Sequence, residues 1–474
     1  MELNNQQSQK TEDEDRLSML PDDILLSILT RVNITTATRT SVLSTRWKHL
    51  PWLLHDLTID VKDFLPTPHP NPIEAAHMDA AMASLSKAIR SFLDAVGPLL
   101  REAINAGILK DLDLAFVDEK EPADCIFKDM LHQASLVDGF FSAYPTVIHC
   151  LASLSLDNVC FAKWDMHHLL FDCCKQLRCL FLSNCDMGVL SAWKIQAADS
   201  HLAVLELGAC CLGKLEVLHL PKLEHLCWDG WICPNAPLSL DVVPSLTELH
   251  LICPANIYFQ GFKLSDVLRN TTSLHNLTLN FQGEKLWLQP EGKQLFTVFN
   301  KLRKLSLHDI FVELDLLWMI VLLEAAPTVE IFDVEIWEHP CTVDTEVRRH
   351  SERINPSWKV VEFATHKEWQ LRELHITGFA PMEQQLTFIK TVIKRAPNLQ
   401  TLVLKDYSFC EACEAIGALP RSERLPKDHV FPKGKDEQDL VVTQLTGGIV
   451  SPHPQINFVD YVRNWCSYSL REEW

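Results

Sequence analysis

The chain has 474 residues, 47% of them hydrophobic, and a formal net charge of −19 from 43 basic and 62 acidic side chains. That length exceeds one compact domain and fits a small head joined to a repeat array. The acidic balance disfavours nucleic acid and anionic membrane as partners, and the longest apolar run, Leu316 to Leu323, is far short of the roughly 20 residues that span a bilayer.

Residues 1–15 (MELNNQQSQKTEDED) are polar, carry no secretory pattern, and are expected to form a disordered lead-in. The 16 cysteines therefore read as reduced thiols of a cytoplasmic and/or nuclear protein. Cys410-x-x-Cys413 has a metal-like spacing. A structural zinc site takes four ligands, and no second pair lies nearby, so ordinary buried thiols are expected.

Residues 16–52 read as a head of three short helices. The first runs from Leu20 through Val32. Pro21 suits a first helical position, where no amide donor is needed, and Asp22 and Asp23 place negative charge at the positive end of the dipole. Ile24, Leu25, Ile28, Leu29 and Val32 recur at helical spacing. A second helical turn spans Thr36 to Leu43. Ser44 or Thr45 caps a third helix with Trp47, ended by Pro51. Helices this short cannot bury all their apolar surface among themselves. Leu20, Pro21, Ile24, Ile28, Val42 and Trp47 then either cap the end of the array or face a partner. Burying about five such side chains gives roughly 8–15 kcal/mol gross, against association costs of ~4–15 kcal/mol, so a partner has to be preformed and well fitted.

Residues 53–108 hold a first strand after Leu50, a stiff connector with Pro66, Pro68, Pro70 and Pro72, and a helical insertion from Ile73 to Ala106. From 109 to 446 a short pattern dominates. Leu-x-x-Leu-x-Leu or a near variant starts at Leu54, Leu109, Leu151, Leu177, Leu202, Leu223, Leu246, Leu274, Leu302, Leu371 and Leu399, with a degenerate copy at Val329-Phe332-Val334. From Leu151 to Val329 the steps are 26, 25, 21, 23, 28, 28 and 27 residues, the period of a leucine-rich-repeat solenoid. The expected fold class is α/β: a three-helix head, then a curved parallel sheet on the concave face with helices and loops on the convex face. Helical stretches are expected at Phe127 to Phe141, Leu264 to Asn270 and Leu314 to Leu323. The extra Lys214-Leu-Glu-Val-Leu-His-Leu reads as a return segment. Residues 447–474 match no repeat and read as a tail.

Alternation along a strand turns the third, fifth and seventh motif positions outward. They carry nine acids, Asp111, Asp113, Asp157, Glu206, Asp229, Glu248, Asp333, Glu335 and Glu373, against Lys304 and Lys405, with His225, His250, His308 and His375. The face is either a solvated side of an acidic protein or a recruiting surface for a basic segment of a target, with Asp157, Glu206, Asp229, Glu248, Asp333, Glu335 and Glu373 the candidate contacts. Only His225 and His250 sit on adjacent repeats, so no metal site is expected among the histidines. No phosphate loop, dinucleotide fingerprint or Gly-x-Ser-x-Gly occurs, and no enzyme activity is expected.

Leu17 through Leu50, above all LPDDILLSILTRV followed by TSVLSTRWKHL, resembles an F-box. The stretch LPWLLHDLTID resembles the first strand after the F-box in plant F-box/LRR proteins. Residues 358–409, with FIKTVIKRAPNLQTLVL, resemble the FBD region of the same plant family. The resemblance implies docking to the Skp-type adaptor of a cullin-RING ubiquitin ligase through Leu20, Pro21, Ile24, Ile28, Val42 and Trp47. The solenoid would then hold a protein target, as the non-catalytic substrate receptor of an SCF-type ligase. The same architecture also serves an interaction scaffold without ligase coupling. Some plant relatives hold a small ligand and an inositol phosphate in a basic pocket. This face lacks the arginines and lysines for that, so no cofactor is expected.

Overall fold

The computed structural model describes residues 20–29, 112–116, 120, 122–143, 145–161, 165–188, 191–231, 236–253, 261–291, 294–338, 358, 368–407, 413, 415, 430–447 and 454–460. Several expectations lie outside these residues: the second and third head helices with Val42 and Trp47, the motif at Leu54, the proline connector, the helix at 73–106, Asp111, and Cys410. The chain divides into two compact units, one of Met1–Cys125 with Ser135–Leu154, the other of Ile126–Ala134 with Ser155–Trp474.

In the smaller unit, helix α1 spans Asp22–Leu29, within the stretch expected from Leu20 to Val32. Leu25 and Leu29 are buried, and Leu20 and Leu26 pack against them. Ile24 and Ile28, one residue ahead on each turn, are 45% and 39% exposed. Along the chain follow strand β1 (Leu112–Phe116), helix α2 (Phe127–Ala143), helix α3 (Pro145–Ile148) and strand β2 (Leu151–Asp157), of which the first part of α2 and the last three residues of β2 count with the larger unit. Phe116, Phe140 and Phe141 meet edge to face, with centroids 5.3–6.0 Å apart.

The larger unit is the leucine-rich solenoid. Strands β3 (Cys179–Ser183), β5 (Val204–Gly208), β7 (His225–Asp229), β9 (Glu248–Ile252), β10 (Asn276–Asn280), β11 (Lys304–Phe311), β12 (Ile331–Trp337), β13 (Glu373–Thr377) and β14 (Thr401–Lys405) pair side by side in one parallel sheet. Their register carries the motif from repeat to repeat. Leu205 lies opposite Leu180 and Leu226, and Leu249 opposite Leu226 and Leu277. A five-residue strand is not stable alone. Here each leucine row is buried in one continuous core, and the alternate residues face outward.

The return segments differ with repeat length. In the shorter repeats the return is extended: β4 (Ala192–Gln196), β6 (Lys214–His219) and β8 (Leu238–Val242) form a second, three-stranded parallel sheet. The extra leucine motif at Lys214 is β6, a return segment as expected. The repeats of 27 and 28 residues return through helices α4 (Leu264–Val267), α5 (Leu295–Val298) and α6 (Met319–Ala325), and α7 (Glu383–Arg395) precedes β14. An extended chain covers about 3.3 Å per residue and a helix about 1.5 Å, so strand returns need fewer residues for the same span.

Two local devices recur. A residue with positive φ stands seven places after the first leucine of many motifs: Asn158, Asn184, Ala209, Gly230, Asp309 and Gly378. It turns the chain out of the strand, except at Asp309, where it marks the register shift within β11; Asn, Asp and Gly are the residues that most readily adopt this conformation. Just beyond, buried thiols reach back one repeat. Cys185 donates to the carbonyl of Leu156, Cys210 to that of Leu182, and Cys253 to that of Trp231, each at 3.3 Å. The cysteines expected to be packing thiols are therefore also hydrogen-bond donors to backbone carbonyls of the preceding repeat.

One expectation is corrected. Residues 447–474 were assigned to a tail outside the repeats, yet helix α8 (Lys435–Thr446) leads into strand β15 (Gln455–Val459), which pairs in parallel with β14. Ile456 and Phe458 stand opposite Leu402 and Leu404, and Phe458 meets the Phe431 ring at 6.2 Å. Isoleucine and phenylalanine fill the leucine rows here, so the pattern escapes a search for leucine.

Candidate functional site

The outward face of the solenoid sheet gathers the charged residues into two groups. The first lies on β5, β7 and β9. The register sets Val204 opposite His225 and His225 opposite Glu248, while Glu206, Cys227 and His250 form the next outward row. His225 is buried, with Nε2 3.5 Å from Glu206 Oε1 and Nδ1 3.4 Å from Glu248 Oε2. His250 Nε2 lies 3.0 Å from Glu248 Oε1, and the two imidazole rings meet at 5.1 Å, nearly perpendicular. The hydrogen bond from His250, with the charges of His250 and His225, outweighs burial and holds Glu248 down to about 2. Burial works against a charged His225, but Glu206 and Glu248 outweigh it and raise its pKa. Asp229 ends β7 and accepts a hydrogen bond from Gln282 Nε2 at 3.3 Å. Burial pushes its carboxyl up to about 6 despite that bond.

The second group lies on β11, β12 and β13. Asp333 on β12 faces His375 on β13 across the register, and His308 Nε2 is 3.6 Å from Asp333 Oδ2. Burial would raise Asp333, but the hydrogen bond and charge of His308, with His375 and Lys405 adding, lower it. Glu335 is raised by burial, which the nearby Asp333 charge reinforces and His308 and Lys405 oppose. Glu373, at the start of β13, sits 3.1 Å from His375 Nε2. Between the two groups, β10 turns only Asn276, Thr278 and Asn280 outward. Asp157 ends β2, where its charge bears on the Cys185 thiol, and Asp113 is exposed on β1.

The sequence reading missed two features of this face. Asp309 falls outside the outward motif positions, but the β11–β12 pairing shifts register between Leu307 and Ile310, and Asp309 is buried there with a positive φ. Burial, then the charge of Glu335, pushes its carboxyl up to about 7, against the Asn280 hydrogen bond and the His308 charge. An Asp directly after an outward His, where several other repeats carry Asn or Gly (Asn158, Asn184, Gly230 and Gly378), was the available signal. The second feature is the carboxylate between His225 and His250. Counting histidines alone passed over Glu248, which has the same motif position as His225 on the neighbouring strand.

Of the residues expected to meet an adaptor, Leu20 is half-buried, while Pro21, Ile24 and Ile28 are exposed on or next to α1. No helix among the described residues is long and apolar enough to cross a membrane.

Residues 135–428 match the family model described as At1g61320/AtMIF1, LRR domain, and residues 17–51 match that of the F-box domain. The chain is 25% identical over 410 residues to the FBD-associated F-box protein At5g60610 of Arabidopsis thaliana, an alignment spanning 82% of this chain and 98% of that protein. It is 24% identical over 439 residues to the F-box/LRR-repeat protein At5g02910 of the same plant, covering 84% of this chain and 90% of that one. With the Arabidopsis F-box protein At5g03100 it shares 28% identity over 266 residues, 50% of this chain and 76% of the relative.

Proposed function

Because the chain belongs to the At1g61320/AtMIF1 leucine-rich-repeat family and carries an N-terminal F-box, we propose that it is a non-catalytic substrate-recognition subunit of an SCF-type ubiquitin ligase, acting in the cytoplasm and/or nucleus. The F-box docks the Skp-type adaptor, and the solenoid face holds a protein target. The observation that carries this reading is the two-sided α1: Leu25 and Leu29 are buried, while Ile24 and Ile28 stand exposed on the adjoining stripe, inside the F-box match. Large apolar side chains left in water on a helix this short favour a partner that covers them.

Catalysis then belongs to other subunits. Tethering raises the effective concentration of target lysines near the charged ubiquitin carrier. The target-contacting residues proposed are Asp157, Glu206, Asp229, Glu248, Asp333, Glu335 and Glu373, meeting a basic segment whose binding weakens with salt. The test is co-purification of the full chain with a Skp-type adaptor. Wild type is expected to bind and Ile24→Asp to lose binding while remaining folded. No binding by wild type, or equal binding by the folded variant, overturns the reading and leaves an interaction scaffold without ligase coupling.

A further inference from the structure

We propose that His225, Glu248 and His250 form a site for a divalent transition-metal ion of the zinc type on the outward face of the solenoid. Each residue offers one ligand atom, and the three atoms lie within 4.8 Å of one another. His225 Nδ1 is 3.4 Å and His250 Nε2 3.0 Å from the Glu248 carboxylate oxygens. Metal–ligand bonds of about 2.0–2.1 Å in a tetrahedron set ligand atoms about 3.3 Å apart. The side chains therefore stand close to a coordinating arrangement before any ion arrives.

The fold explains the convergence. Glu248 lies directly across the β7–β9 register from His225, and His250 follows two residues later on the same face of β9. Both strands are hydrogen-bonded on both edges, β7 between β5 and β9, and β9 between β7 and β10. Ligands on paired central strands are held more closely than ligands on loops.

A second observation points the same way. With His225 Nδ1 directed at the ligand carboxylate, its Nε2 faces Glu206, 3.5 Å away and only 7% exposed. A carboxylate behind a ligating imidazole fixes its tautomer and raises its basicity, an arrangement common around bound zinc. Two imidazoles and one carboxylate suit zinc, cobalt or nickel, whereas magnesium and calcium prefer all-oxygen sites. Glu248 and His250 are half-buried, which leaves a fourth position open to water or to a side chain of a bound protein. The charge of a divalent ion would offset Glu206 and Glu248 together. This site stands independently of adaptor docking, and its failure would leave that reading untouched.

The experiment is calorimetric titration of the chelator-stripped full chain with zinc, paralleled by cobalt(II), whose visible absorption reports four-coordinate binding. One equivalent is expected to bind at this site. His250→Gln and Glu248→Gln are expected to lose it by well over 100-fold, and Glu206→Gln to weaken it by about 10–100-fold. Cys413→Ser is expected to leave it unchanged, separating it from the Cys410-x-x-Cys413 pair. Folding of each variant is checked by circular dichroism. Should His250→Gln prove misfolded, Glu248→Gln, at a half-buried carboxylate, carries the test. Wild type without one equivalent bound, or undiminished binding in folded His250→Gln or Glu248→Gln, overturns the proposal.

Discussion

Asp309 makes stability depend on pH in a direction opposite to that of an ordinary ion-paired carboxylate. It is 4% exposed, and burial beside Glu335 pushes its carboxyl from 3.8 up to about 7. The folded state prefers the protonated acid. Its contribution is complete below the unfolded pKa and is lost as pH rises through about 7. His308, also raised, acts in the same sense, stabilising when charged and lost as pH rises through its folded value. Asp333, lowered, acts in the opposite sense and is lost only as pH falls through its own depressed value. Three pKa units correspond to about 4 kcal/mol, an upper figure, because His308 returns part of the cost when Asp309 ionises. Asn at this position tolerates the φ of 55°, still accepts from Asn280, and cannot ionise. Urea unfolding followed by tryptophan fluorescence, at about pH 5.5 and about pH 8.5, reads the difference. Wild type should lose stability toward the higher pH. Asp309→Asn should already exceed it by up to about 2 kcal/mol at the lower pH, where the unfolded carboxyl is ionised, and by up to about 4 kcal/mol at the higher one, so the gap widens by roughly 2 kcal/mol. Parallel pH profiles for the two proteins would refute the assignment.

Other perturbations test the repeat geometry. At Gly378, φ is +74° and an added Cβ would stand 2.6 Å from the Ile336 carbonyl oxygen, so Gly378→Ala should cost about 2–3 kcal/mol in a chemical melt; a loss below about 0.5 kcal/mol would show the turn to be pliable. Ala209 holds the equivalent turn with φ 49°, and Ala209→Gly should stabilise by about 0.5–1 kcal/mol, relief of strain exceeding glycine's entropy; destabilisation in the same melt would contradict the turn argument. Leu277 sits 1% exposed between Leu249 and Leu305. Leu277→Asp places an unpaired charge in the core and should unstack neighbouring repeats, exposing new sites in limited proteolysis. A wild-type digestion pattern would count against the continuous core.

How far the sequence could be read follows from what each feature depends on. The solenoid was legible because the leucine rows repeat at every motif and each row is a single buried line in the fold. The segment at Lys214 was legible as a return, but not as a strand, since helices and loops were expected there and its pairing depends on the extended returns on either side. Strand β15 was not, since Ile456 and Phe458 do the same work with other side chains. The charged face was legible as a set of outward positions, but its grouping was not. Grouping depends on which strands are neighbours: His225 and Glu248 are 23 residues apart in sequence and opposite one another in the sheet. Asp309 required the register shift in β11, which no motif count contains.

The thiols of Cys185, Cys210 and Cys253 are essentially sealed from water, at 0%, 0% and 1% exposure. Each reacts with an alkylating reagent only when its own turn of the array opens. The protein therefore carries native reporters in the turns between residues 185 and 253, and timed labelling followed by mass spectrometry would rank those turns by how often they come apart.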